Sequence, residues 1–275
     1  MNPPDTLTSN FGDYWDAVGC HWQKRGHYRL WRQFSDRQQL ALIDRWLPIA
    51  PQGTDGPPLH VLKTDLFDEV AGKGLVHHLQ ARGSLVTGID VSPMIVETAL
   101  ERYPALEAVV AEIRELPFAD ATFDLIYSGS TLDHLASESE IQNAILELER
   151  VLRPGGTLIL TLDNLANPLI WLRNGPLYAV LRRCGIVPYQ VGTTLGPKGL
   201  ENAVRRSGLK ILNKTSVVHC PRMFAVLGSR LLENFSSKVQ ESYCRFLESW
   251  ELLEGRPTQY LTGYYIAMHA VKPEK

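Results

Sequence analysis

The side chains that could do chemistry in this chain each follow a short apolar run. Asp90 ends "VTGID" and Glu112 follows "EAVVA". A carboxylate at the end of such a run can accept both hydroxyl hydrogens of a ribose. The same acid is also explained as an answer to the dipole of the helix that follows it. His134 lies beside Asp133 and close to Thr131 in "STLDH". Imidazole titrates near ~6.5, so His134 is the candidate general base, with Asp133 to orient it or a substrate. A histidine that only caps its loop would look the same. Asp163 and Asn164 follow "LILTL" and form a second polar cluster, facing an acceptor together with Thr131.

These positions matter only if a sheet lines them up, because ligands of open parallel sheets lie beyond the carboxyl ends of the strands. Seven runs read as strands: Leu59–Thr64, Ser84–Ile89, Glu107–Ala111, Phe123–Tyr127, Thr157–Leu162, Leu209–His219 and Tyr260–Val271. Helices are expected over Gly74–Arg82, with Gly83 as C-terminal cap, and from Pro93 to Tyr103, with Ser92 as N-cap. Ser137 and Glu140 form a capping box for a helix facing inward through Ile141, Ala144, Ile145 and Leu148. Leu200–Ser207 reads as one more helix. The alternation predicts an α/β fold: a Rossmann-like, mostly parallel seven-stranded sheet with helices on both faces and added helical cap segments.

Within this pattern "AEIRELPFADATFDLIYSGSTLDH" and "LERVLRPGGTLILTLDN" resemble the second half of a class I S-adenosylmethionine-dependent methyltransferase of the type 11-like kind. The resemblance covers about residues 59–165, and 195–271 loosely by element order. It implies S-adenosyl-L-methionine as cofactor and a methyl acceptor of small size. It assigns Asp90 and Val91 to the ribose end of the donor and Glu112 and Ile113 to the adenine, with Met94 packed on the adenine face. Ser128 and Gly129 would lie near the methionine end.

The first motif departs from the family. A glycine-rich loop should follow strand one, so that backbone N–H groups approach the donor without Cβ atoms in the way. Here Lys63, Asp65, Phe67 and Glu69 occupy those positions. One reading is a rebuilt loop, in which Asp65 or Glu69 holds the donor's ammonium and Gly72 or Gly74 gives backbone access. The other is a catalytically silent binding or scaffold protein on the same fold; a same-fold enzyme moving another alkyl group is a nearer variant. Asp163-Asn164 is also similar to the metal ligands of catechol-type O-methyltransferases. Gly129 stands where that group has its strand-four Asp, so no metal is expected.

The 275 residues are 44% hydrophobic and 21% charged, with net charge −2, which gives no general reason to favour nucleic acid or an anionic membrane. No run reaches the ~18 apolar residues of a membrane span. The four cysteines are scattered without a C-x-x-C pair, and the first residues lack the basic and apolar regions of a secretion signal; both fit a reduced, cytoplasmic protein. Residues 1–57 read as a helical arm and linker: frayed over 1–10, two or three helices over 13–47, and a Pro- and Gly-rich linker at 48–58. Residues 58–275 read as the core, with cap insertions at about 165–195 and 222–256. Trp15, Trp22 and Trp31 in the arm, and Trp171, Leu172, Leu177, Tyr178 and Tyr189 in the first insertion, suit the lining of a partly apolar pocket. Packing against the sheet explains the same residues.

Overall fold

The computed structural model describes residues 11–25, 28–47, 57–183, 187 and 191–274. The expected frayed end (1–10) and nearly all of the expected linker (48–56) lie outside the described residues.

Central parallel strands are covered on both faces and so read as continuous apolar runs. Strand β1 (His60–Lys63) is such a strand: Val61 and Leu62 point to opposite faces and are both fully buried. It pairs in parallel with β2 (Leu85–Asp90) and, on its other edge, with β4 (Phe123–Gly129), Val61 standing opposite Val86 and Leu125. The strands β3 (Glu107–Val110), β5 (Leu152–Asp163), β6 (Lys210–Val217) and β7 (Tyr265–Val271) complete the order β3-β2-β1-β4-β5-β7-β6. β7 runs antiparallel to both of its neighbours. The winding reverses between β1 and β4, and a crevice opens there at the carboxyl ends.

The helices are α1 (Phe11–Arg25), α2 (Arg29–Trp46), α3 (Phe67–Ala71), α4 (Val76–Ala81), α5 (Pro93–Arg102), α6 (Glu138–Val151), α7 (Pro168–Asn174), α8 (Tyr178–Arg183), α9 (Pro197–Arg206), α10 (Arg222–Leu232), α11 (Ser237–Ser249) and α12 (Gln259–Thr262). One apolar layer joins α2, α4, α5 and α10 to one face of the sheet through Phe34, Leu79, Ile95 and Ala225. The other joins α6 and α9 to the opposite face through Ile145, Leu148, Leu200 and Val204. Each of the larger side chains among these contributes roughly 1.5–3 kcal/mol when fully buried, so these two layers fix the sheet on which the site is built.

The caps fall where turn chemistry places them. Ile95 N–H donates to Ser92 Oγ (3.1 Å) at the start of α5. Glu140 N–H donates to Ser137 Oγ (3.3 Å), and Ala136 N–H to Glu140 Oε2 (2.9 Å), closing the capping box. Three elements differ from the sequence expectation. Residues 67–71 form the one-turn helix α3, begun by Asp68 and Glu69 in its first turn. β5 starts at Leu152 and absorbs the Pro154-Gly155-Gly156 turn, which pairs with Lys272. Residues 259–262 coil into α12, and β7 begins only at Tyr265, beyond Gly263.

The tryptophan-rich arm both packs and roofs. Trp46 stacks on His269 of β7 at 5.6 Å. Arg37 of α2 pairs with Glu248 (2.8 Å) and Glu241 (3.3 Å) of α11, and Trp31 N–H donates to Ser229 Oγ (3.0 Å) in α10. Trp15 instead turns toward the crevice.

Candidate functional site

Beyond β1, β2 and β4 lies a crevice walled by Asp65, Asp90, Glu112, Thr131 and His134, with Trp15 of α1 as its roof. Asp90 is 8% exposed. Its Oδ1 accepts from Ser92 N–H (2.9 Å) and its Oδ2 from Leu66 N–H (3.1 Å), so the carboxylate is held rigidly at the end of β2. Burial pushes its pKa up to about 6, against the pull of those N–H groups and of Lys63. Val91, Ile113 and Ile95 line the same crevice. Glu112 is drawn toward Arg114, which also reaches Glu140 (2.9 Å). Asp90 and Glu112 thus share one cavity.

The segment after β1 is rebuilt around ion pairs, not glycines. Lys63, buried, meets Glu69 Oε2 at 2.8 Å and donates to the Asp65 carbonyl. Burial alone would lower the Lys63 pKa; Glu69 and Asp65 outweigh it and raise it. Glu69 Oε1 accepts from Leu75 N–H (2.8 Å) and Val76 N–H (3.3 Å), the orphan donors that open α4. Gly74 has φ +58, and a Cβ there would collide with the Glu69 carboxylate. Gly74 therefore serves Glu69 and not a ligand. Gly72 abuts Asp36 Oδ2, also away from the crevice. Expecting these two glycines to contact the donor misplaces them.

The acids around this loop outnumber the cations. Asp68 pairs with Arg32 and Glu69 with Lys63. Asp36, Asp65 and Asp90 remain, and burial raises all three carboxyl pKa values: Asp36 to about 7, Asp90 to about 6 and Asp65 well above its ordinary value. Asp68 and Asp90 add repulsion to Asp36 and Asp65 respectively. Such a set fits a ligand that brings positive charge.

His134 ends a short 3₁₀ turn (Leu132–His134), and its ring meets Trp15 edge-on at 4.6 Å. The returning chain clamps the turn. Gly192 N–H donates to the Asp133 carbonyl (3.1 Å) and Thr193 N–H to the Leu135 carbonyl (2.7 Å). A Cβ on Gly192 would overlap the backbone of His134 and Leu135. Asp133 does not reach the crevice. It is buried behind the turn, accepting from Ser130 Oγ–H (2.8 Å) and Asp163 N–H (3.4 Å), and burial with Asp163 nearby raises its pKa to about 7. Its catalytic assignment is corrected: it shapes the loop.

Past Asp65, Phe67 and His134 the crevice continues into a junction that includes Gly129, Ser130, Thr161, Trp31, Arg32 and Arg222. Trp31, Arg32 and Arg222 also wall a third space, an apolar cavity of about 480 Å³ under α7, α8 and α10. Thr131, expected on the acceptor side, lines the crevice with Asp90, and Trp31 lines the junction and the apolar cavity. Asp163 is not: Arg173 takes its Oδ2. Asn164 is fully buried and donates to the carbonyls of Tyr260 (2.7 Å) and Gly263 (3.0 Å), a structural role that removes it from the substrate side. Ser128 is sealed inside the sheet, accepting from Thr64 Oγ1–H at 2.9 Å. Met94 packs under α1, where its Cε meets Gly19, and not on the crevice. Leu172 and Leu177 line the apolar cavity, whereas Trp171 is exposed. The side chain of Trp22, and Tyr189, lie outside the described residues.

Sequence reasoning missed Arg173 and Arg222, which converge on the Tyr264 hydroxyl oxygen, Arg222 at 2.8 Å. Their partners come from distant segments, so spacing carries no signal. Ile95 and Thr64 also line the crevice beside Asp90 and Asp65, and nothing in their spacing marks them.

A family model described as Methyltransferase domain matches residues 70–160. An uncharacterized methyltransferase of Synechocystis sp. is 34% identical over 100 residues, 36% of this chain and 46% of that protein. The 27-O-demethylrifamycin SV methyltransferase of Amycolatopsis mediterranei is 28% identical over 170 residues, 57% of this chain and 58% of its own length. The chain spans about half the length of these curated relatives. A solved phosphoethanolamine N-methyltransferase 2 of Haemonchus contortus, in complex with S-adenosyl-L-methionine, superposes with TM-score 0.63 at 17% identity, covering 98% of this chain and 61% of that one; this likeness concerns the fold. Residues 70–160, the stretch that matches the methyltransferase domain, supply β2, β3, β4 and the acid at the end of β2, and so most of the crevice wall.

Proposed function

We propose that this protein transfers the methyl group of S-adenosylmethionine to a small, partly apolar molecule. One observation carries the reading: a crevice walled by the carboxylates of Asp65, Asp90 and Glu112 opens, through a junction, onto an apolar cavity. When bound, S-adenosylmethionine supplies an already activated methyl on a sulfonium centre, beside an ammonium. Asp90 would accept the ribose hydroxyls, and Glu112 with the backbone of Ile113 would face the adenine. Asp65 would answer the ammonium. His134 borders both the crevice and the junction, in position to take a proton from an oxygen or nitrogen nucleophile. Trp15 and α1 exclude water from above.

Calorimetric titration with S-adenosylmethionine and S-adenosylhomocysteine tests this. The folded protein is expected to bind both at micromolar concentration. Asp90→Ala, checked for folding by circular dichroism, is expected to weaken binding by about 100-fold, roughly 2.7 kcal/mol. No binding by the folded wild type would leave a silent module on the same fold.

A further inference from the structure

The apolar cavity differs from the donor crevice in the sign of its charge. Among the described residues its wall carries three arginines, Arg32, Arg173 and Arg222, and no acidic side chain. The rest is largely aliphatic and aromatic, from α7, α8 and α10. Its volume of about 480 Å³ lies within the ~300–1,000 Å³ usual for sites of small organic ligands.

The arginines are not spread around the wall. Arg173 and Arg222 both donate to the Tyr264 hydroxyl oxygen, and the Arg222 guanidinium lies 5.6 Å from the Trp31 ring centroid and 5.1 Å from that of Tyr264. Asp163 fixes Arg173 from behind the wall. Arg32 and Arg222 are also the residues shared with the junction. Arg32 and Arg222 therefore stand at the end nearest the donor side, whereas Leu172, Leu177 and Leu181 line the cavity and not the junction. Guanidinium groups held by rings and a phenol are preorganised to take a carboxylate or phosphate oxygen.

The outer rim is unusual too. Leu169 and Met223 line the cavity and are exposed, at 58% and 64%. On α7, α8 and α10, Trp171, Val180, Phe224 and Leu227 are exposed too, and Arg182 and Arg183 end α8. An apolar collar with basic residues suits entry of a chain from an aggregate or a bilayer.

We propose that this cavity binds an amphiphile with an anionic head, a carboxylate or phosphate, seated at Arg222 and Arg173, and its apolar chain under α7 and α10. This deepens the methyl-transfer reading, on which the word acceptor rests; the binding itself does not depend on that reading.

The test uses the full chain and the fluorescence of its tryptophans, Trp31 and Trp250 being in the wall. Dodecanoate and dodecyl phosphate, below their critical micelle concentrations, are expected to bind at least about tenfold more tightly than dodecanol, and dodecyltrimethylammonium more weakly still. Arg222→Gln is expected to erase the preference for the anions while leaving dodecanol binding within about twofold. A preference that survives in both Arg222→Gln and Arg173→Gln overturns the proposal, as does equal binding of acid and alcohol, or no binding of any chain.

Cosedimentation with phosphatidylcholine vesicles, with and without phosphatidic acid, separates the sources. Binding only to the acidic vesicles assigns the head to a membrane lipid; binding of monomers without vesicle association assigns a free anion. Either supports the shared chemistry. S-adenosylhomocysteine is titrated in parallel. Its failure with dodecanoate binding intact would remove the methyl-transfer reading alone.

Discussion

The two ends of the active region solve opposite electrostatic problems. At the carboxyl ends of β1 and β2, Asp65 and Asp90 face one crevice, with Asp36 of α2 close behind the loop; burial raises all three carboxyl pKa values, and Asp90 adds to it at Asp65. Under α7 and α10, three arginines line an apolar wall that has no acidic side chain among the described lining residues. Arg32 marks the border, paired to Asp68 on the donor side while lining the cavity on the other. The difference teaches how the segment after β1 is held: where a glycine loop was expected, a frame of Lys63, Glu69 and Gly74 fixes the chain by an ion pair and by N–H groups donating to a carboxylate.

The harshest way to break the contrast is at that frame. Gly74→Ala puts a methyl group at φ +58 against the Glu69 carboxylate. Moving Glu69 strands the buried Lys63 ammonium and frees two N–H groups at the start of α4. The expected loss is about 3 kcal/mol, since breaking a buried ion pair costs about 3–5 kcal/mol and relaxation recovers part. Urea unfolding measures it. Donor binding should fall with it, while dodecanoate binding by the folded fraction should not. A change under about 0.5 kcal/mol would mean that the frame is not under tension.

A second test sharpens the contrast by pH. Asp90 titrates near 6 and must be ionised to meet a cationic ligand fully. S-adenosylmethionine binding should therefore weaken by about tenfold between pH 7.5 and pH 5. Guanidinium groups hold their charge over that range. Decanesulfonate, whose own charge is fixed, should bind equally at both pH values. His219, in the same wall, is already pushed below its usual pKa by burial. Parallel titration curves for donor and sulfonate would dissolve the distinction between the two ends.

How much of this was legible follows from what each residue depends on. Asp90, Val91, Glu112, Ile113, Thr131 and His134 sit just past strands, and a strand's end is readable from its apolar run; all six line the crevice. Ser128 also ends a strand, yet side-chain alternation turns it into the sheet toward Thr64. One residue of register separates the two outcomes, and the sequence does not state which face is open. Asp133 and Asp163 failed for another reason. Arg173 of α7, which takes Asp163, and the clamp at Gly192 beyond α8, which holds the Asp133 turn, are brought in by the path of the later chain, which no local period encodes. The arginine pole is invisible by the same logic, since Arg173, Arg222 and Tyr264 meet from three segments.

The gentlest test concerns what the uncompensated charge costs. Asp36 of α2 is buried, and its Oδ1 has no hydrogen-bond partner among the described residues. Burial first, and Asp68 second, push its pKa up to about 7. Because the folded value exceeds the unfolded one, the folded chain binds this proton more tightly. The stabilisation is complete below about pH 4, is lost as pH climbs toward 7, and leaves a buried charge above that. Asp36→Asn has no charge to bury, so it should raise stability by about 1–2 kcal/mol at pH 8 and leave it nearly unchanged at pH 4. Thermal unfolding at the two pH values gives the comparison. The same variant removes one of the three excess acids, and S-adenosylmethionine affinity should drop by about threefold while dodecanoate binding stays level. A variant both more stable and unimpaired in donor binding would show that Asp36 belongs to the frame and not to the field that the donor meets. Stability gained together with affinity lost would mean that the chain keeps a strained acid because the ligand's positive charge relieves it.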